Sequence, residues 1–216
     1  MMGIRRRAFL IGGAAIVGGG LFAVYWGDSS ARKRAVELTA KGKDGSFLSW
    51  VKISEDDTVT VYSPHIDFGQ GSHTALAQMV AEELDADWSK IVVEHAPADP
   101  SFANTALGRG FMADMSGQPG IVAALPASFI SMAARSMNLQ ITGGSSAVRF
   151  TGQSGMRVAG AAAREALVAE AAERLKVPAS ELTTLDSRVI HEKTSASLRY
   201  GELAQAAAAR TLNSDV

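Results

Sequence analysis

The stretch Pro64 to Leu76 reads PHIDFGQGSHTAL and gathers most of the polar chemistry of the N-terminal half. Two glycines bracket Gln70, Asp67 precedes them, and the hydroxyls of Ser72 and Thr74 follow, with His65 and His73 on either side. The run leaves a β-rich segment and enters a helical one. A glycine turn opening a helix presents backbone N–H groups where about half a positive charge is concentrated. Glycine permits close backbone approach, and one glutamine amide supplies both a donor and an acceptor. Such a corner suits a phosphate or the edge of a heterocycle; it can equally be a structural corner. It has neither the lysine of a phosphate-binding P-loop nor the third glycine of a dinucleotide fingerprint. Two histidines without a third ligand do not make a zinc site, so both read as packing groups. Asp67 reads as an Asx brace for the turn.

A second segment with comparable chemistry is Ile141 to Arg149, ITGGSSAVR. Arg149 follows its Gly-Ser loop closely and is a candidate for an anion. Arg109, in a Gly-Arg-Gly context, could reach a phosphate or stand as a surface-loop arginine. The acidic residues Glu82, Glu83, Asp85 and Asp87 read as a solvated helix face and its continuation.

The elements that must position these segments follow from periodicity. Residues 47–53 and 58–62 are β-rich around Glu55-Asp56-Asp57, which predicts a hairpin. Apolar residues at 75, 76, 79, 80 and 84 predict a helix from His73 to Leu84, and 91–94 predict a strand. From 96 to 144 the pattern weakens to an irregular, functional loop region, with a helix over 120–137 kinked or ended by Pro126. A strong helix ends near Lys176, with Val158, Ala162, Leu167, Ala171 and Leu175 as its apolar stripe. A strand at 188–191 and an Ala-rich helix from Tyr200 complete an α+β reading with mixed sheets and packed helices.

With 216 residues, 47% of them hydrophobic, the chain can build a core. Its net charge of −1 conceals a basic start and an acidic body. That body argues against nucleic-acid binding, which needs a basic face. Without cysteine, the chain can hold no disulfide and no cysteine-ligated iron–sulfur cluster. Electrons leaving a reaction here need a carrier on another subunit.

Arg5-Arg6-Arg7-Ala8-Phe9-Leu10 precedes an uncharged stretch from Phe9 to Trp26. Its length is at the lower limit for spanning a bilayer. The segment resembles a twin-arginine export signal, with Arg6 and Arg7 as the pair, or else a basic-flanked membrane anchor. Ser29-Ser30-Ala31 is a small-residue site compatible with cleavage. The domain expectation is a leader over 1–31 and a partial cofactor domain over 45–210.

The run DFGQGSHTALAQMVAEEL, continued by Asp87-Trp88 and the 91–96 strand, resembles the molybdopterin-binding subunit of the xanthine dehydrogenase and aldehyde oxidase family. TGGSSAVR is similar to that family's second cofactor loop. The leader and LRYGELAQAA resemble its exported branch of isoquinoline 1-oxidoreductase beta subunits and membrane-bound aldehyde dehydrogenases. The resemblance implies that Gly69, Gln70, Gly71, Thr74, Thr142, Gly143, Gly144, Ser145, Ser146 and Arg149 bind the cofactor, as molybdopterin cytosine dinucleotide. It implies hydroxylation of an aldehyde or N-heterocycle with water as oxygen source. It also implies an iron–sulfur small subunit, a c-type cytochrome subunit, the remainder of the molybdenum subunit as partners, and a periplasmic location. The family's glycine-rich Gly-Gly-Gly-Phe-Gly loop and its Gly-Glu-Pro, with the catalytic glutamate, do not occur here, so no catalytic residue is assigned. A cofactor-holding or assembly module that needs a partner chain, or a truncated product without function, is the alternative expectation.

Overall fold

The computed structural model describes residues 29–115 and 127–213, apart from positions 41, 43, 48 and 142. Residues 1–28 of the expected leader and Thr142 therefore lie outside the described residues, whereas Ser29-Ser30-Ala31 opens the first described helix. Among the described residues, no helix is long and apolar enough to cross a membrane.

After helix α1 (Ser29–Thr39), the strands β1 (Gly45–Phe47), β2 (Val51–Ile53) and β3 (Val59–Ser63) form an antiparallel meander. The expected first strand of the hairpin is thus split. Ser49 and Trp50 turn the chain, and the Trp50 carbonyl is taken up by the Tyr62 amide (2.9 Å). Helix α2 (Ser72–Leu84) then crosses over and β4 (Ile91–His95) pairs parallel to β3, Val59 opposite Ile91 and Ser63 opposite His95. β3 is buried along its whole length, so the corner that follows it starts from an enclosed strand.

Where the sequence suggests an irregular region with one helix over 120–137, the structure has two helices. The expected one is present over 127–136, and its 120–126 part, with Pro126, lies outside the described residues. α3 (Thr105–Met115) and α4 (Ala127–Ser136) occupy much of the stretch from 96 to 144. Gly108 and Gly110 lie within α3, and a side chain at Gly110 would overlap the Phe150 ring. These glycines answer to packing, not to turns. The second chemistry-bearing segment is also mostly helical. α5 (Ser145–Thr151) continues through a π-helical turn (Gly152–Met156) into α6 (Arg157–Leu175). A side chain at Gly152 would collide with the Met79 sulfur, which brings this turn directly onto α2.

The main core lies between the sheet and α2, α6 and α7 (Tyr200–Asn213). Leu76, Val80 and Leu84 of α2 meet Ala159, Ala163 and Leu167 of α6. Small residues let the helices close up. A second sheet, β5 (Leu182–Leu185), β6 (Arg188–His191) and β7 (Ala196–Arg199), is an antiparallel meander. It is tied to the end of α2 by the Ser187 amide on the Asp85 carbonyl (3.0 Å), while the Tyr200 hydroxyl donates to the Leu84 carbonyl (2.6 Å).

The approach of α6 to α2 makes a sharp prediction. At an exposed helical site, glycine to alanine gains about 1 kcal/mol. At Gly160 the added methyl would stand 2.7 Å from the Val80 carbonyl oxygen. Gly160→Ala is therefore expected to lose about 1–3 kcal/mol in urea unfolding, because the helices must part. A gain in stability would contradict this packing.

Candidate functional site

The end of β3 and the start of α2 form a corner that is braced from inside. The Asp67 carboxylate accepts N–H bonds from Gly69 (2.9 Å), His73 (2.9 Å) and Gly71 (3.4 Å), and the Ser72 hydroxyl lies 3.4 Å away. Those backbone bonds, His73 first, hold the Asp67 carboxyl below the usual carboxylate range. Gly69 and Gly71 sit at φ of 109° and 76°, where only glycine is unstrained. A Cβ at either position would meet nothing within 4 Å, so their outer faces are open.

This geometry corrects the expectation of an unblocked anion cradle. The corner's own aspartate already neutralises the positive end of α2, and the amides of Gly69, Gly71 and His73 are taken. Gln70 is likewise turned inward. Its Oε1 accepts from the Phe68 amide (2.8 Å), and its Nε2 donates to the carbonyls of Ile66 (2.8 Å) and Gly143 (2.9 Å). With both N–H groups engaged and the carbonyl already accepting once, the Gln70 side chain keeps a single acceptor lone pair for a ligand. What Gln70 presents outward is its backbone.

The bond from Gln70 to Gly143 joins two segments 73 residues apart. A second link runs beneath it. His65 is fully buried, and burial lowers its pKa. The neutral ring donates through Nδ1 to the Ile141 carbonyl (2.8 Å), which leaves Nε2 as acceptor facing the Thr151 hydroxyl (2.8 Å). Asn104, also fully buried, donates to that hydroxyl (2.9 Å) and accepts the Leu107 amide (2.9 Å) near the start of α3. Gly143 passes directly over His65: a Cβ there would lie 2.9 Å from the ring Nδ1. His73 reaches back through Nε2 to the His65 carbonyl (2.8 Å). The two histidines are thus scaffold. Among the described residues, no group of three or more His, Asp or Glu is placed to hold a metal ion.

Of the residues proposed from sequence, Gly69, Gln70, Gly71 and Thr74 share one exposed rim, with Gly144, Ser145 and Ser146 on the facing one. Gly143 is the half-buried contact between them. Arg149 stands one turn further along α5, exposed, its guanidinium 4.3 Å over the neighbouring Phe150 ring. Among the described residues it makes no hydrogen bond or ion pair to the corner. Arg109 lies within α3, not on a surface loop, and donates to the Ser131 hydroxyl (3.0 Å). Asn104 and Thr151 escape sequence reasoning. Asparagine ahead of Thr105-Ala106-Leu107 is a helix-start signal, but nothing local foretells its reach to Thr151. Exposed Ile66 and Phe68 on the corner and Ile141 across from it add an apolar margin.

The residues present fit a large polar cofactor approached by backbone and hydroxyls. The rims offer open glycine faces and three hydroxyls, those of Thr74, Ser145 and Ser146, without a charged cluster. Their spacing is fixed from within.

Because His65 is held neutral, the sign of its pH effect follows. As pH falls below the free imidazole value of 6.5, the unfolded chain takes up the proton first. Stability supplied by the neutral ring is full above that value and is lost as pH drops through the lower folded value. Urea midpoints are expected to fall between pH 7 and 5 in the parent and to fall less in His65→Gln. Equal slopes would contradict the assignment.

The molybdopterin cofactor-binding domain model matches residues 13–118 of this chain. The beta subunit of isoquinoline 1-oxidoreductase from Brevundimonas diminuta is 36% identical over 156 residues, covering 71% of this chain and 16% of that protein. A protein from Gluconacetobacter polyoxogenes, named membrane-bound aldehyde dehydrogenase (pyrroloquinoline-quinone), is 28% identical over 188 residues, covering 86% and 19%. A nicotinate dehydrogenase subunit from Pseudomonas putida is 40% identical over 48 residues, 22% of this chain and 4% of the relative. The chain spans less than a fifth of the length of these relatives. Over residues 13–118 it belongs to the molybdopterin cofactor-binding domain family, and it is similar to isoquinoline 1-oxidoreductase beta subunits and membrane-bound aldehyde dehydrogenases.

Proposed function

We propose that this chain supplies one wall of the cofactor site in a molybdenum hydroxylase. The observation that carries the reading is the meeting of the two rims, Gly69 to Thr74 against Gly143 to Ser146, through the Gln70–Gly143 bond (2.9 Å). When bound, a molybdopterin cofactor supplies two-electron oxidation with oxygen drawn from water. The protein's part is orientation. The backbone faces of Gly69, Gln70 and Gly71 and the Thr74 hydroxyl hold one side. Gly144, Ser145 and Ser146 hold the other, together with Thr142 from the sequence resemblance.

The substrate class that fits the relatives' names is an aldehyde or an N-heterocycle. The cytosine dinucleotide form of the cofactor, an iron–sulfur small subunit as electron acceptor, and a c-type cytochrome beyond it belong to the same reading. So does export by the twin-arginine route to the periplasm, supported by Arg6-Arg7 and the apolar run after them. None of the residues above is assigned as the catalytic base, which is expected on the remainder of the molybdenum subunit.

The test is elemental and nucleotide analysis of the complex isolated through this chain from its native membranes. We expect molybdenum stoichiometric with the chain and release of CMP on acid hydrolysis. In the same complex, the double variant Thr74→Ala, Ser146→Ala is expected to lose molybdenum about tenfold faster, as for two lost hydrogen bonds. A complex that is intact and rich in iron but free of molybdenum would overturn the proposal. The chain purified without its partners is expected to retain little or no molybdenum.

A further inference from the structure

We infer that His65 is a positioning residue that sets the spacing between the two cofactor-facing rims, without touching the cofactor. The inference rests on the cofactor reading above. His65 stands where five parts of the structure meet. Its backbone N–H lies 3.2 Å from the Ser63 hydroxyl at the end of β3, and its carbonyl accepts from His73 on the first turn of α2. Its ring donates to Ile141, just before the second rim, and faces Thr151 at the mouth of the π-helical turn. Asn104, ahead of α3, completes the group through that same hydroxyl. A core histidine with only packing to do needs some partner for each nitrogen. Here one nitrogen holds the backbone of the second segment, and the other faces the Thr151 hydroxyl, which shares its proton with the Ala147 carbonyl (2.9 Å) on the helix that follows.

The ring is also a floor. Gly143 crosses it so closely that a methyl at that position would stand 2.9 Å from Nδ1 and 2.7 Å from the Ala147 Cβ. The height of the imidazole therefore fixes the height of Gly143, and the Gln70–Gly143 bond hands that height to the first rim. An apolar residue of similar volume would fill the space. It would leave the Ile141 carbonyl unpaired, and the second segment would lose its tether. Asparagine can place an amide N–H near the position of Nδ1 and should keep that tether.

The test compares His65→Leu, His65→Asn and Thr151→Val in the full chain within its complex. Two readouts are taken for each: hydrogen–deuterium exchange of peptides covering 66–73 and 141–147, and the rate of molybdenum loss after dilution. His65→Leu is expected to raise exchange in both peptides and to speed molybdenum loss about tenfold, while His65→Asn stays near the parent in both. A His65→Leu protein that melts earlier but shows parental exchange at 141–147 and parental molybdenum retention would reduce His65 to an ordinary core residue and overturn the inference. Should His65→Leu fail to fold, Thr151→Val decides, since it removes the hydroxyl at nearly constant volume. Because the Thr151 hydroxyl also bonds the Ala147 carbonyl (2.9 Å), the 66–73 peptide is read for this variant: raised exchange there supports the inference, and unchanged exchange overturns it. If the parent complex carries no molybdenum, the cofactor reading falls, while the exchange data still report whether His65 spaces the rims.

Discussion

Two hydrogen bonds to main-chain carbonyls, from Gln70 to Gly143 and from His65 to Ile141, hold together segments that are 73 and 76 residues apart in sequence. Closing a loop of that length costs about 4 kcal/mol in chain entropy. Two such bonds return a net of about 1–3 kcal/mol. They cannot bring the segments together unaided. The packing of α2 on α6, with Leu76, Val80 and Leu84 buried against alanines, makes the approach, and the bonds then choose its spacing. The division of labour matters because a cofactor senses spacing to a fraction of an ångström, whereas hydrophobic burial is indifferent to it.

The corner also shows how a helix N-terminus can be occupied before any ligand arrives. Asp67 takes the amides that an anion would want, so the positive end of α2 is already compensated. What faces outward is less charged and more permissive: open glycine faces, hydroxyls and the apolar margin of Ile66 and Phe68. Such a surface suits contact along the edge of a large planar molecule better than capture of a free phosphate.

Much of this is legible in the sequence, and the gaps have physical causes. The β-rich run at Val59 and the helical spacing up to Leu84 locate β3 and α2, the strand buried on both faces and the helix along one continuous face. Asp67 as a turn brace can be read from its position two residues before Gly69. Helix α3 and the π-helical turn after α5 escape the sequence because their glycines, Gly108, Gly110 and Gly152, sit where neighbouring elements come close, Phe150 against Gly110 and Met79 against Gly152. No local pattern announces those contacts. Gln70 reads as a ligand-facing amide because the sequence cannot show that Gly143 lies within reach of it. The links made by His65, Asn104 and Thr151 are long-range by nature, and each residue is ordinary among its own neighbours.

The central claim is that the two rims act together on one cofactor. The most direct measurement is a structure of the complete molybdenum-containing complex, with the metal located by anomalous scattering at its absorption edge. The account predicts cofactor density in contact with both the Gly69–Thr74 rim and the Gly143–Ser146 rim, with the side chain of Gln70 still bonded to Gly143 beneath it. Density that touches only one rim, or a cofactor held elsewhere while both rims face solvent or another subunit, would contradict it.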